Sequence, residues 1–260
     1  MKMKIENKLD KLFEEKSGNL LSLFFTAGYP EIDDTLKVLE SSEKHGADLV
    51  EIGIPFSDPV ADGKIIQESS QVALKNGMTL RHLFMQLEEA EKRVSIPRLL
   101  MGYFNPVQQF GVEEFCSACR KTGVDGVIIP DLPLEEYRDH YRSCFLENNL
   151  HYILLITPQT SMERIREISE NSTSFIYMVS SESTTGGSAD LVRKAGYFKS
   201  VREVTGKPLL IGFGISDSES FDSACMHANG AILGSSFIRA LSGKGEIEDK
   251  VRDFIEKIRR

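Results

Sequence analysis

Cysteine is scarce in this sequence, and so are several other features that would place it in a familiar class. The four cysteines in 260 residues, Cys116, Cys119, Cys144 and Cys225, are too few and too scattered to frame a disulfide scaffold in a chain this long. No apolar run reaches the roughly 20 residues needed to cross a bilayer, and the opening MKMKIENKLDKLFEEK reads as a charged amphipathic helix, not a signal peptide. A cytoplasmic protein with no membrane contact is expected. Basic residues are outnumbered, 31 Lys and Arg against 39 Asp and Glu, for a formal charge of -8. Most of the surface would repel nucleic-acid phosphates, so no nucleic-acid partner is expected and any phosphate site must be local.

Metal-binding patterns are missing too. None of the five histidines has a suitable metal-ligand neighbour. Cys116 and Cys119 have C-x-x-C spacing, but no second ligand pair follows, and EEFCSACRKTG has the pattern of an amphipathic helix. They read as buried thiols acting as small hydrophobes, and no metal is expected.

No low-complexity stretch or Pro/Gly-rich linker marks a domain boundary, and the length suits one substantial core, so residues 1–260 are read as a single domain. What fills it is an alternation of short aliphatic runs with longer amphipathic segments. The strand candidates are LSLFF from Leu21, DLVEI from Asp48, PRLLM from Pro97, DGVIIP from Asp125, HYILLI from His151, SFIYMV from Ser174, PLLIG from Pro208 and GAILG from Gly230. Between them, DDTLKVLESSEKHG, GVEEFCSACRKTG and EEYRDHYRSCFLENN have helical period, the first two ending in Gly. Eight βα units in about 250 residues predict an α/β fold of the TIM (β/α)8 barrel type, with an extra N-terminal helix. Its active site is then expected at the C-terminal ends of the strands and in the loops that follow.

Glu51 is the sharpest anomaly, a charge inside the apolar run DLVEI. It shares a strand face with Leu49 and not with Val50 or Ile52, which points it into the barrel mouth. There, apolar surroundings would raise its pKa toward the range of a group that both gives and takes protons. The alternative is a glutamate satisfied by a hydrogen bond or by a cation on a neighbouring strand. The long following loop, IPFSDPVADGKIIQ, offers Asp58 and Asp62, either a cavity ligand or plain turn chemistry. IGFGIS and ILGSS end the last two candidate strands, where such barrels commonly hold a phosphate on backbone N–H groups. Asp217 occupies the place of a third glycine, so a dinucleotide fingerprint fails. SSESTTGGSAD, after the sixth candidate, could close over a ligand or be a plain surface loop. No lysine ends the fifth, sixth or seventh candidate to form a Schiff base, so a carbon-carbon lyase here would rely on carboxylate acid-base catalysis without a cofactor.

The segment LVEIGIPFSDPVADGKIIQ is similar to the most characteristic stretch of tryptophan synthase alpha subunits. The likeness continues through FFTAGYP, LLMGYFNPV, VIIPDLPLEE, IGFGIS and ILGSSFIRAL, nearly the whole chain. The resemblance implies retro-aldol cleavage of indole-3-glycerol phosphate to indole and D-glyceraldehyde 3-phosphate, with Glu51 and Asp62 as the catalytic acids. It also implies an indole pocket walled by Phe24, Leu100 and Tyr177, and substrate contacts at Thr185, Gly186, Phe213, Gly214, Gly234 and Ser235. The partner it implies is a pyridoxal-phosphate beta subunit in an alpha2beta2 assembly, and Phe56, Pro59, Phe104, Pro106 and Phe110 fall in loops of the top face suited to one, unless they pack on one another. The sequence departs from the family in the sixth loop. Ser183 stands where a glycine is common, and the next arginine is Arg193. A phosphosugar isomerase would share the phosphate site but would not need Glu51 with Asp62. A catalytically silent binding partner would need neither.

Overall fold

The computed structural model describes residues 5–179, 195–212 and 214–260. Among them lie nine strand segments: β1 (Leu20–Thr26), β2 (Leu49–Gly53), β3 (Arg98–Met101), β4 (Gly126–Ile128), β5 (His151–Tyr152), β6 (Leu154–Ile156), β7 (Ile176–Val179), β8 (Leu209–Gly212) and β9 (Gly230–Leu233). They form one sheet in the order β5-β4-β3-β2-β1-β9-β8-β7-β6, and every pairing is parallel. The two ends of that order are consecutive in the chain, with Ile153 alone between them. The fifth candidate strand therefore pairs with β4 through its first half and with β7 through its second, and the sheet closes on itself. Division of one strand between two neighbours follows from the stagger of a closed barrel. This is the expected (β/α)8 architecture.

Strand alternation separates two cores. Leu21, Leu23 and Phe25 of β1, with Val50 and Ile52 of β2, face the surrounding helices, whereas Leu20 and Phe24 join Leu49, Leu99, Ile128, Ile153 and Leu210 inside the barrel. Cys116 and Cys119 are fully buried in the outer core, where burial pushes both thiols' pKa values up and keeps them inert.

The extra N-terminal helix, Lys8–Glu15, is present and closes one end of the barrel. Its capping box joins Asn7 and Asp10. Leu9 and Leu12 enter the interior cluster, and the Phe13 ring lies 5.6 Å from that of Phe175. The helix Asp34–His45 ends at Gly46 with φ +101°, and Val112–Lys121 is followed by Gly123 at φ +66°, both conformations that favour glycine. The third helical segment is less regular than its pattern suggests. Leu134–Glu136 leads into a π-helical turn, Tyr137–Tyr141, before Arg142–Glu147, and the turn buries Tyr137 against Phe145 and Tyr152. No helix among the described residues is long and apolar enough to cross a membrane.

Candidate active site

Glu51 sits at the centre of β2, in register with Phe24 of β1 and Leu99 of β3. Because it shares Leu49's face, it projects into the barrel, where it is completely buried. Its Oε1 accepts a hydrogen bond from the Ser22 hydroxyl at 2.9 Å, and its Oε2 has no partner. Ser22 is the polar residue of β1 that alternates inward with Leu20 and Phe24, a signal the sequence carried and that was not read. Burial pushes the Glu51 pKa up to about 8, opposed only by the Ser22 hydrogen bond. No cation among the described residues offsets that burial, so the protonated carboxyl is favoured at neutral pH.

Two glycines make room for the rings beside it. A Cβ on Gly53 would stand 2.7 Å from the Phe24 ring, and one on Gly212 would stand 2.2 Å from the Tyr177 hydroxyl. Phe24 and Tyr177 therefore lie flat over neighbouring backbone and leave space above them. That space is a cavity of about 650 Å3 at the C-terminal end of the barrel, large enough for a small organic ligand. Phe24, Met101, Tyr177 and Ile232 form its apolar wall, Asp62 stands at one side, and Gly214, Gly234, Ser235 and Ser236 line the side built on β8 and β9.

Asp62 reaches the cavity from the loop after β2, whereas Asp58, the other candidate there, is exposed and accepts from Ser57. Burial raises the Asp62 pKa, and its interaction with the Tyr103 hydroxyl pulls the other way. Tyr103 also accepts the Ala61 N–H at 3.0 Å, so one phenol holds both the loop backbone and the Asp62 side chain. Its own pKa is pushed up to about 12, chiefly by burial. The pKa of Tyr177 is raised well above the usual phenol value, first by burial and then by the charges of Glu51 and Asp62, which places it within electrostatic reach of both carboxyl groups.

The structure thus brings Phe24, Glu51, Asp62, Tyr177, Gly214, Gly234 and Ser235 to one end of the barrel. Leu100 does not belong there. It is paired with Ile52 and buried in the outer core, because alternation along β3 turns it toward the helices. Met101, one residue on, lines the cavity instead. Thr185, Gly186 and Phe213 lie outside the described residues. Tyr103, Met101, Ser236 and Arg239 were missed, since each reaches the site only through tertiary packing. Among the described residues no group of three or more His, Cys, Asp or Glu side chains converges to hold a metal. Of the top-face residues expected in loops, Phe104, Pro106 and Phe110 lie instead in a short helix, Phe104–Phe110, and the aromatics pack in part on their neighbours, Phe56 on Tyr103 at 5.2 Å, Phe104 on Tyr141 at 5.2 Å and Phe110 on Phe84 at 5.4 Å. The apolar residue left in water nearby is Val60, 84% exposed.

Comparison with known proteins agrees with this geometry. The family described as tryptophan synthase alpha chain matches residues 9–260. The tryptophan synthase alpha chain of Bacteroides thetaiotaomicron is 47% identical over 247 residues, covering 94% of this chain and 96% of that one. Among solved structures, the alpha subunit from Legionella pneumophila superposes with a TM-score of 0.90 at 30% identity, covering 98% of this chain and 97% of its own. The tryptophan synthase complex from Pyrococcus furiosus includes a chain with a TM-score of 0.85 at 32% identity, covering 94% of this chain and 98% of that one. A closed parallel barrel with an acidic cavity at the C-terminal end of its strands, matched in sequence along nearly its whole length, belongs to the tryptophan synthase alpha chain family, the lyases that cleave indole-3-glycerol phosphate in tryptophan biosynthesis.

Proposed function

We propose that Glu51 and Asp62 divide the proton work of this cleavage, with the barrel acting as one domain and no cofactor. The observation that carries the reading is the pair of carboxyl groups within electrostatic reach of Tyr177, Glu51 fully buried with its pKa pushed up to about 8 and Asp62 lining the cavity with its pKa raised by burial. Protonated Glu51 delivers its proton to indole C3, which turns the ring into an indolenine able to accept the electrons of the breaking bond. The resulting carboxylate takes the proton of the glycerol hydroxyl as the carbon-carbon bond opens to indole and aldehyde, and the acid is regenerated. Asp62, braced by Tyr103, accepts a hydrogen bond from the indole N–H and stabilises its developing positive charge. Phe24, Met101 and Tyr177 hold the indole ring, and Gly214, Gly234 and Ser235 receive the phosphate; family resemblance assigns substrate contact to Thr185, Gly186 and Phe213 as well.

A beta subunit in an alpha2beta2 assembly is the partner this reading implies. Exposed Val60, in the same loop as Asp62, supports a contact on the top face that would couple docking to the site. The working place is the cytoplasm, and neither nucleic acid nor membrane takes part.

The test is indole release from indole-3-glycerol phosphate by the purified chain, alone and with a tryptophan synthase beta subunit, beside Glu51→Gln and Asp62→Asn. Loss of about 10²-fold or more in both variants is expected for acid-base groups. Variants that keep parental rates would sink the assigned roles. A parent that releases no indole under either condition would sink the lyase reading itself.

A further inference from the structure

We infer that Arg239 is the cation that binds the phosphate of the substrate. The inference rests on the lyase reading above and adds a residue to it. The helix after β9, Ser235–Leu241, is held by Phe237, Ile238 and Leu241, all buried. With that face pinned, Ser235, Ser236 and Arg239, spaced three and four residues apart, share the opposite face, and all three line the cavity. The Ser236 hydroxyl is spent on the Ile215 carbonyl at 3.1 Å, which ties the helix to the loop after β8 and leaves Arg239 as the charged group of this face.

Several other arginines are tied to carboxylates. Arg93, Arg138, Arg164 and Arg252 each hold at least one. Among the described residues the Arg239 guanidinium has no ion pair and no hydrogen bond, and its backbone carbonyl alone is engaged, by Ser242. The cavity's other cation, Lys64, is 3.8 Å from Glu68 on its own helix and stands on the β2 side with Asp62. The cavity is therefore polarised, with carboxylates on the β2 side and an uncommitted guanidinium on the β8 and β9 side. A phosphate dianion approaching a chain of net charge -8 needs such a local charge, and the planar fork of arginine matches two phosphate oxygens at once. Backbone N–H groups near Gly214 and Gly234 orient the phosphate, and Arg239 supplies the full positive charge they lack.

The parent, Arg239→Ala and Arg239→Lys are to be compared in indole release and in inhibition by inorganic phosphate. For Arg239→Ala, KM is expected to rise about tenfold with a smaller change in kcat, and phosphate inhibition to weaken by a similar factor. Arg239→Lys should recover part of both, because it keeps the charge and loses the fork. Added salt should raise the parent's KM more than that of Arg239→Ala. A parent that turns over, with KM and phosphate inhibition in Arg239→Ala within twofold of it, overturns the inference and leaves the lyase reading intact. If the parent releases no indole, titration calorimetry with inorganic phosphate still decides: binding weakened in Arg239→Ala supports the role, and binding equal in all three overturns it.

Discussion

Buried carboxyl groups occur at both ends of this barrel, and the two ends treat them in opposite ways. At the N-terminal end of the strands, Asp48 accepts the Leu21 N–H at 2.7 Å and pairs with Lys16 and with Arg259. Asp125 accepts the backbone N–H groups of Lys8 and Arg98 at 3.1 and 3.0 Å. Burial raises the Asp125 pKa, and those N–H groups with the Lys8 and Arg98 charges pull it back. His151 meets Asp10 at 2.9 Å, and fully buried Arg98 is shared between Glu91 and the Gly123 carbonyl. At the C-terminal end, Glu51 has one hydroxyl and Asp62 has one phenol. The carboxylates that staple helices and strands together are held by several partners each, whereas Glu51 and Asp62 have one apiece among the described residues. The same residue types are thus neutralised at one end and left lightly partnered at the other, as the proton roles proposed above require.

The largest effect that would break this contrast is expected at Asp125. Asp125→Ala should cost on the order of 3–5 kcal/mol in urea unfolding, because it leaves the Lys8 and Arg98 N–H groups without their acceptor and removes a charge that offsets buried Arg98, while kcat of the folded fraction stays at the parental value. A loss of activity at unchanged stability would erase the distinction between the two ends.

Glu51→Gln should act in the reverse sense on stability. Glu51's ordinary pKa is 4.5 and its folded value about 8, so below the first both states carry the proton and no penalty arises. Between the two the unfolded chain ionises while the folded one does not, and the parent loses stability as pH rises until the penalty is complete above about pH 8. The variant should match the parent near pH 4 and exceed it by roughly 2–4 kcal/mol at pH 8.5. Denaturation curves across that range check it, and parallel curves would mean that Glu51 is stabilised like Asp125. A smaller effect is expected at Tyr103→Phe, about tenfold in kcat/KM, since the loop loses one brace and Asp62 one donor. Steady-state kinetics with Asp62→Asn and the double variant would show whether the two act together.

Glu51 was legible because a charge stands out in an apolar strand and alternation puts it on Leu49's face, whereas the closed barrel makes that face the inward one. The strands were legible as aliphatic runs, and the helix ends at Gly46 and Gly123 as glycines closing an amphipathic pattern. Leu100 was named from the resemblance alone, and nothing in its strand could check that, since alternation carries no phase from one strand to the next. Only the pairing of Leu100 with Ile52 turns it outward and brings Met101 to the cavity. The division of the fifth strand at Ile153 was equally hidden, since it depends on which neighbours each half meets.

By itself the sequence determined the number of βα units, the face of Glu51, and the loop motifs that carry Asp62 and the phosphate-side glycines, because those follow from local periodicity and backbone chemistry. Closure of the barrel, the bracing of Asp62 by Tyr103, the unpartnered oxygen of Glu51 and the alignment of Arg239 with Ser235 were decided by tertiary structure. Each depends on the register and stagger between segments far apart in the chain. A pKa is set by what surrounds a group in space, and only the closed barrel brings those surroundings together.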